Sequence, residues 1–559
     1  MIQSMQNYIY IILCFLLCRW LVVSSAAQNY YWVAFSDKND SPYSLANAEE
    51  YLSDAALLRR ERQGIVVDSF DLPVNPQYIS DVVNCGCEYV HQSKWLNGVT
   101  VICDDDAVEY VRALPFVSFV ERTGSRKGVR IKSAHKKQNF DSKQNFDSKQ
   151  NFDSKQNFDK WDLAVEVAVG GEKIVDGGLW SDGQNNLIGS QWLSDKGYRG
   201  RGMKIAILDT GFPYCDTEPS IAGKIIEGYN IAYPGVSVYD TGLHHHGSLC
   251  LSIMAAEIDS VYIGTAPDAD YYLFVTEIEE SESLIEIDHW VRAVEMADSI
   301  GIDIVSSSLG YSVMDDVSTS YRYEEMDGWT VRCSRAATIA SQKGMVICVS
   351  AGNDGNKSWH YISAPADADG ILTVGGVTID GEHSIFSSFG PTSDGRIKPD
   401  VCAQGTAVLS YMNGVVNRGN GTSFACPQVA GAAASLWGAS RDLSGSELVR
   451  LVQESASNYA CPNDSLGYGI ADFRAAYLML HSSHIDSDYI VYRDGNTIVE
   501  SRFGSSFDVR LYDMSGRLVM SSCGLSRHEI VVDALPRGVY VISIVDSGLE
   551  ISGWKLLVR

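Results

Sequence analysis

Between residues 161 and 480 this chain carries a series of near-continuous apolar runs, MKIAILDTG, YYLFVTE, IDIVSSSLG, GMVICVSAGN and ILTVGGV. A strand that is apolar at every position has no side left for water, so it must be covered on both faces. Between these runs lie EIDHWVRAVEMADSIG and VRCSRAATIASQKG, whose apolar residues recur with helical period. Strand and helix in alternation make βαβ units, and parallel strands joined this way carry their crossover helices on the faces of the sheet. The expected fold of residues 161–480 is therefore α/β, a largely parallel sheet with helices on both faces.

Several strands run out into polar or glycine-rich turns: Asp209-Thr210-Gly211, Ser308-Leu309-Gly310 and Ala351-Gly352-Asn353. In open α/β sheets the ligand site lies beyond the carboxyl ends of the strands. Further on, RGNGTSFACPQVAGAAASLW starts polar and flexible and continues small and apolar. A buried helix accounts for the run, but its Gly-Thr-Ser opening needs another reason. Asp209, His246 in HHGS, Asn353 in SAGNDG and Ser423 in GTSFACP are the residue types that acyl transfer uses. A hydroxyl attacks, an imidazole takes its proton, a carboxylate orients the imidazole, and an amide receives the developing negative charge. Each residue alone has a plainer reading: Asp and Asn form turns, His beside Gly is a loop residue, and Ser after Thr caps a helix. The four together, in this order, are specific.

The segments ILDTG, HHGS, SAGN and GTSFACP, with SSSLGYS and FSSFGPTSDGRIKPDV, resemble those of the subtilisin-like serine peptidases, the subtilases. The chain order Asp, His, Ser is that of subtilisin. The resemblance implies a subtilisin-like fold and hydrolysis of protein or peptide substrates through an acyl-enzyme. It makes Ser423 the nucleophile, His246 the general base and then acid, Asp209 the holder of the imidazole, and Asn353 with the Ser423 N–H the oxyanion hole. It further implies that Ser308, Leu309, Gly310, Ala351 and Gly352 line the pocket for the residue before the cut bond. Such catalysis requires no cofactor. Structural calcium is common in the family, but no acidic cluster here designates its ligands. Ser248 stands where the family more often has Thr, and Cys426 where it commonly has Ser. Cys426 lies one helical turn past Ser423. It is either a buried filler or a point where bulky thiol reagents inhibit, and full activity after its alkylation would dismiss the second reading. His244-His245-His246 invites a metal, but consecutive residues of an extended chain face opposite ways, so no metal site is expected. His246 is chosen because it precedes Gly-Ser. The rival to an enzyme is a catalytically silent surface protein that binds peptides in a protease-like groove; the intact set of Asp209, His246, Asn353 and Ser423 speaks for catalysis.

The flanks read separately. Residues 28–122 mix strand-like YYWVAF, GVTVIC and FVSFVE with the charged helical pattern NAEEYLSDAALLRRERQ, a small α+β domain. Its YYWVAFSDKND and ERQGIVVDSFDLPVNPQYI resemble the propeptide of Bacteroidetes-type subtilases, which implies an inhibitory partner for the enzyme and cleavage somewhere in residues 123–190. Residues 123–160 carry the KQNFDS repeat, whose period of six suits neither helix nor strand burial. This is expected to be a disordered linker, either a protease-accessible hinge or a neutral tandem expansion. Residues 487–559 hold short alternating strands with glycine turns, an all-β domain. VRLYDMSGRLV, ALPRGVYVISI and KLLVR resemble the type IX secretion sorting domain, which implies a secretion machinery as partner; a β accessory domain is the alternative.

At the N-terminus, residues 1–27 read as a signal peptide cleaved after Ala27, with a signal anchor as the alternative, and no transmembrane domain is expected after cleavage. The expected location is extracellular or on the outer cell surface. A net charge of −26 argues against a nucleic-acid partner, which needs a basic face. Cys250, Cys348, Cys402 and Cys426 sit in apolar segments and are expected as buried free thiols.

Overall fold

The computed structural model describes residues 28–126, 167–168 and 179–481, and residues 484–558 apart from 486–488, 495, 502–505, 514, 516, 532–533 and 547–548. The N-terminal apolar segment and the KQNFDS repeats lie outside the described residues.

The first domain is an antiparallel sheet of β1 (Asn29–Phe35), β2 (Glu88–Ser93), β3 (Gly98–Cys103) and β4 (Val117–Ser125), in the order β2-β3-β1-β4. It is accompanied by helices α1 (Asp54–Gln63), α2 (Pro76–Asn84) and α3 (Asp105–Arg112). Successive residues of a strand face opposite sides. Tyr31, Val33 and Phe35 of β1 join a core with Val82 of α2 and Val108 and Val111 of α3. Trp32 points the other way, with its ring 5.6 Å from the Arg332 guanidinium. The single helix suggested by NAEEYLSDAALLRRERQ is in fact two pieces, a 3-10 turn at Leu45–Glu50 and then α1. Ser53 divides them because its hydroxyl accepts the Ala56 N–H at 3.2 Å, so it starts a new helix as an N-cap.

The alternating segments build one seven-stranded sheet from β5 (Lys204–Asp209), β6 (Ile225–Asn230), β7 (Asp270–Val275), β8 (Ile304–Ser307), β9 (Val346–Ser350), β10 (Leu372–Val377) and β11 (Val401–Gln404). The order is β11-β10-β9-β8-β5-β7-β6, and each neighbouring pair is parallel. The helices that matter for the site are α4 (His246–Ala255), α5 (Leu284–Ile300), α6 (Arg332–Gln342) and α7 (Thr422–Ala439). Ile205 and Ile207 of β5 pack in one core with Met254 of α4 and Val429 of α7. Ala206 and Leu208 pack in the other, with Trp290 of α5 and Ile339 of α6. Both faces are thus covered, and each Leu or Phe buried there stabilises the fold by about 1.5–3 kcal/mol. From β5 the chain first builds toward β6 and β7, then crosses to β8 and continues to β11. The direction of winding therefore reverses beside β5, where a ligand crevice is expected at the carboxyl ends.

The last region forms two four-stranded antiparallel sheets, one with Tyr489–Asp494, Asn496–Ser501 and Arg527–Ile530, the other with Phe507–Asp513, Leu518–Leu525, Gly538–Asp546 and Leu549–Val558. Val499, Val509, Leu511, Ile530 and Ile542 pack between them. Among the described residues, no helix is long and apolar enough to cross a membrane.

Candidate active site

Asp209 is the last residue of β5, and its side chain is fully buried. Its Oδ1 accepts the Thr210 N–H at 2.8 Å and lies 2.7 Å from His246 Nδ1. His246 opens α4. The next residue explains how the helix comes so close: a Cβ on Gly247 would stand 2.5 Å from the Gly211 carbonyl and 2.9 Å from Asp209 Cβ. With a carboxylate as partner, Nδ1 is the nitrogen that donates. The preceding histidines are not alternating strand residues. The chain turns into the helix, the rings of His244 and His245 stack with centroids 4.9 Å apart, and His244 Nδ1 accepts the His246 N–H at 3.2 Å. The expectation that they face opposite ways fails because the backbone is not extended there.

Ser423 is the second residue of α7 and is buried. Gly421 precedes the helix with φ 150° and ψ 148°, and its N–H donates to Gly405 O at 2.8 Å. Thr422 ties the helix start to the loop after β9. Its N–H donates to Asn353 Oδ1 at 2.9 Å, and its hydroxyl oxygen accepts the Gly352 N–H at 3.2 Å. Only the oxygen end of an amide can take a main-chain N–H, so the Asn353 orientation is fixed and Nδ2 faces elsewhere. Asp209 ends β5, and Ser308–Gly310 and Ala351–Asn353 follow β8 and β9; these strands are adjacent in the sheet, so these expected site residues share one rim. The Ser308 hydroxyl donates to Ser423 O at 2.8 Å. A residue not anticipated, Ser363, stands between two glycines expected to line the pocket: its Oγ is the nearest atom to a Cβ built on Gly310 and lies 3.3 Å from one built on Gly352.

A thiol not anticipated also stands at the site. Cys426 packs under β8, with its sulfur 3.9 Å from Ser306 Oγ and 3.7 Å from Ser307 O, and burial pushes it up to about 12. Cys250 instead lies 3.8 and 3.9 Å from the two ring nitrogens of His246, 3.6 Å from Ser308 Oγ and 3.4 Å from Ser423 O. Burial, and then the Asp209 charge, hold it well above the usual thiol range, so it remains protonated. Its position four residues after His246 on an apolar helix was the available signal. Asp209, His246 and Cys250 are close enough together to suggest a metal site. Nδ1 of that histidine already faces the Asp209 carboxylate at 2.7 Å.

Residues 200–469 match the subtilase family, and residues 30–142 match the peptidase S8 propeptide domain of Bacteroidota. Residues 200–469 are a subtilase domain. Among curated relatives, subtilisin DY of Bacillus licheniformis is 28% identical over 286 residues, covering 51% of this chain and 93% of that protein. The thermophilic serine proteinase of Bacillus sp. strain AK1 and serine protease AprX of Bacillus subtilis strain 168 are each 29% identical. These matches cover 51% and 46% of this chain, and 64% and 62% of those proteins. The subtilase domain is that of a serine endopeptidase, and it is preceded by a propeptide domain.

Proposed function

We propose that this chain is the zymogen of a secreted serine endopeptidase in which Asp209, His246 and Ser423 form the catalytic triad. The observation that carries the reading is the 2.7 Å contact of His246 Nδ1 with a fully buried Asp209, made beside the N-terminus of the helix that bears Ser423. Ser423 Oγ attacks the substrate carbonyl while His246 Nε2 takes its proton and then delivers it to the leaving amine. Asp209 keeps the Nδ1 hydrogen in place and stabilises the imidazolium. The oxyanion is received by Asn353 Nδ2 and the Ser423 N–H, at the positive end of α7. Water, deprotonated by His246, then cleaves the acyl-enzyme. Ser308, Leu309, Gly310, Ala351 and Gly352 line the pocket for the residue before the cut bond.

The propeptide domain acts as the inhibitor until it is cleaved away; its sheet rests on α5 and α6, with Trp32 over Arg332 and β4 ending against Ile285. Residues 1–27 direct export, and residues 487–559 engage the secretion machinery for release or surface attachment. The test is labelling of the secreted protein by a fluorophosphonate. Labelling is expected in the processed protein and abolished in Ser423→Ala. Labelling that persists in that variant would assign the nucleophile elsewhere, and no labelling of the processed native protein would leave a silent peptide-binding surface protein.

A further inference from the structure

In an α-helix, the carbonyl of residue 423 accepts the N–H of residue 427. Residue 427 is a proline inside α7, and proline has no N–H. The carbonyl of Ser423 is thereby denied its helical partner in a residue that is only 3% exposed. A buried carbonyl without a partner costs free energy comparable to a lost hydrogen bond. Two side chains from outside the helix supply what the proline withholds. Ser308, just beyond β8, donates its hydroxyl to Ser423 O at 2.8 Å, and the Cys250 sulfur, in α4, lies 3.4 Å from the same oxygen. Both are buried, at 5% and 0% exposure. The thiol is also 3.6 Å from Ser308 Oγ, so its single hydrogen supports the clamp whether it goes to the carbonyl or to the hydroxyl that donates to it.

We infer that Ser308 and Cys250 are positioning residues for the reaction, clamping the main-chain carbonyl of Ser423 that Pro427 leaves open. The inference rests on Ser423 being the nucleophile. Fixing that peptide group fixes the turn of α7 from which the Ser423 side chain projects. The two clamping residues come from the elements that define the rest of the site: α4, which starts at His246, and the loop after β8, beside β5 and its Asp209. The clamp thus sets the hydroxyl relative to the imidazole through the main-chain carbonyl of Ser423, not through its side chain. It also gives the Ser308 hydroxyl a task distinct from lining the substrate pocket, which its main chain can still do.

The experiment introduces Ser308→Ala into two backgrounds of the processed enzyme, native and Pro427→Ala, and measures steady-state kinetics and fluorophosphonate labelling rate. In the native background Ser308→Ala is expected to lower kcat about tenfold, the loss of one buried hydrogen bond, with KM unchanged. Pro427→Ala returns an N–H to the helix, so the same substitution there is expected to cost about twofold or less. The labelling rate is expected to follow kcat. A penalty of equal size in both backgrounds, or one that appears in KM rather than kcat, overturns the clamp. Should Pro427→Ala fail to fold, the split between kcat and KM in Ser308→Ala decides. Cys250→Ala gives an independent reading, with a smaller fall in kcat expected and Cys250→Ser retaining more activity; equal activity of the native enzyme and both variants would count against its share. Labelling that survives Ser423→Ala removes the premise instead of the clamp, so the two failures are distinguishable.

Discussion

Two regions of this molecule bury polar groups, and they do so with opposite chemistry. Between the propeptide domain and α5 the buried groups are charged. Arg59, Arg60 and Lys94 converge on Asp298 at 2.5, 2.9 and 2.8 Å, while Glu295 accepts the Ser93 hydroxyl at 2.5 Å and the main-chain N–H groups of Lys94 and Trp95 at 2.8 and 3.0 Å. On α6, Arg332 joins Asp288 and Glu121. Around Ser423 the groups are mostly neutral hydroxyls, thiols and amides, with Asp209 the carboxylate that faces the imidazole. The difference fits the proposed roles of the two surfaces. Two parts that are to separate must present faces that water accepts afterwards, and charged side chains are well solvated once exposed. A site that stays closed gains by keeping charge to what the reaction uses, since each buried ion costs several kcal/mol of desolvation unless it is fully matched.

The sharpest way to break this comparison is at the carboxylate of the site. Asp209→Asn is expected to lower kcat by about 10⁴ through the wrong imidazole tautomer, with little change in the thermal midpoint of the processed enzyme. A large loss of stability with little loss of rate would mean that Asp209 is a structural anion like those of the interface. Next comes Asp298→Ala, which removes the carboxylate that Arg59, Arg60 and Lys94 share and leaves Arg60 only the ion pair with Asp71, at 2.7 Å. Burial pushes Asp298 up, but Lys94, Arg59 and Arg60 together carry it well below the usual carboxylate range. The precursor is expected to lose about 3–5 kcal/mol in denaturant unfolding and the processed enzyme far less. Equal losses in both would show that the network serves the subtilase domain itself.

A smaller effect is set by pH. His91 of β2 and His289 of α5 meet across the interface with ring centroids 5.5 Å apart, and His289 Nδ1 donates to Thr276 O at 3.0 Å. Burial holds His289 down to about 4, and burial, then His289 and Arg292, hold His91 well below its ordinary value. Docked histidines of lowered pKa bind fewer protons than free ones. The affinity of the cleaved propeptide is therefore full above about pH 6.5 and falls on acidification, by roughly thirtyfold at pH 5 where His289 regains a pKa near 6.5, with His91 acting in the same direction. Asp288, raised by burial to about 6, and Glu295, also raised by burial, titrate in the opposite sense and blunt the lower end. Arg332 and Thr100, which bond to Asp288, carry no proton change in this range. Inhibition by the cleaved propeptide measured from pH 8 to pH 5 checks this, and a slope left unaltered by His91→Gln would discard that histidine's part.

Sequence revealed the sheet because a strand covered on both faces must be apolar throughout, and it revealed the rim because Asp209, Ser308 and Asn353 each end or follow such a run. It could not show the facing of side chains. The residues after His246 form α4, but only packing turns Cys250 rather than Cys426 toward the imidazole. Arg59 and Arg60 read as the polar side of an amphipathic helix, whereas their partner Asp298 lies 239 and 238 positions away, beyond any local pattern. Ser53 similarly looked like one more polar residue inside a helix until its cap divided that helix in two.

Asp298 and Glu295 sit one turn apart on α5, and the hydrogen bonds described above for them come from the propeptide. On the proposed processing, loss of that domain would expose Asp298 and Glu295 together on α5 without the donors that now face them.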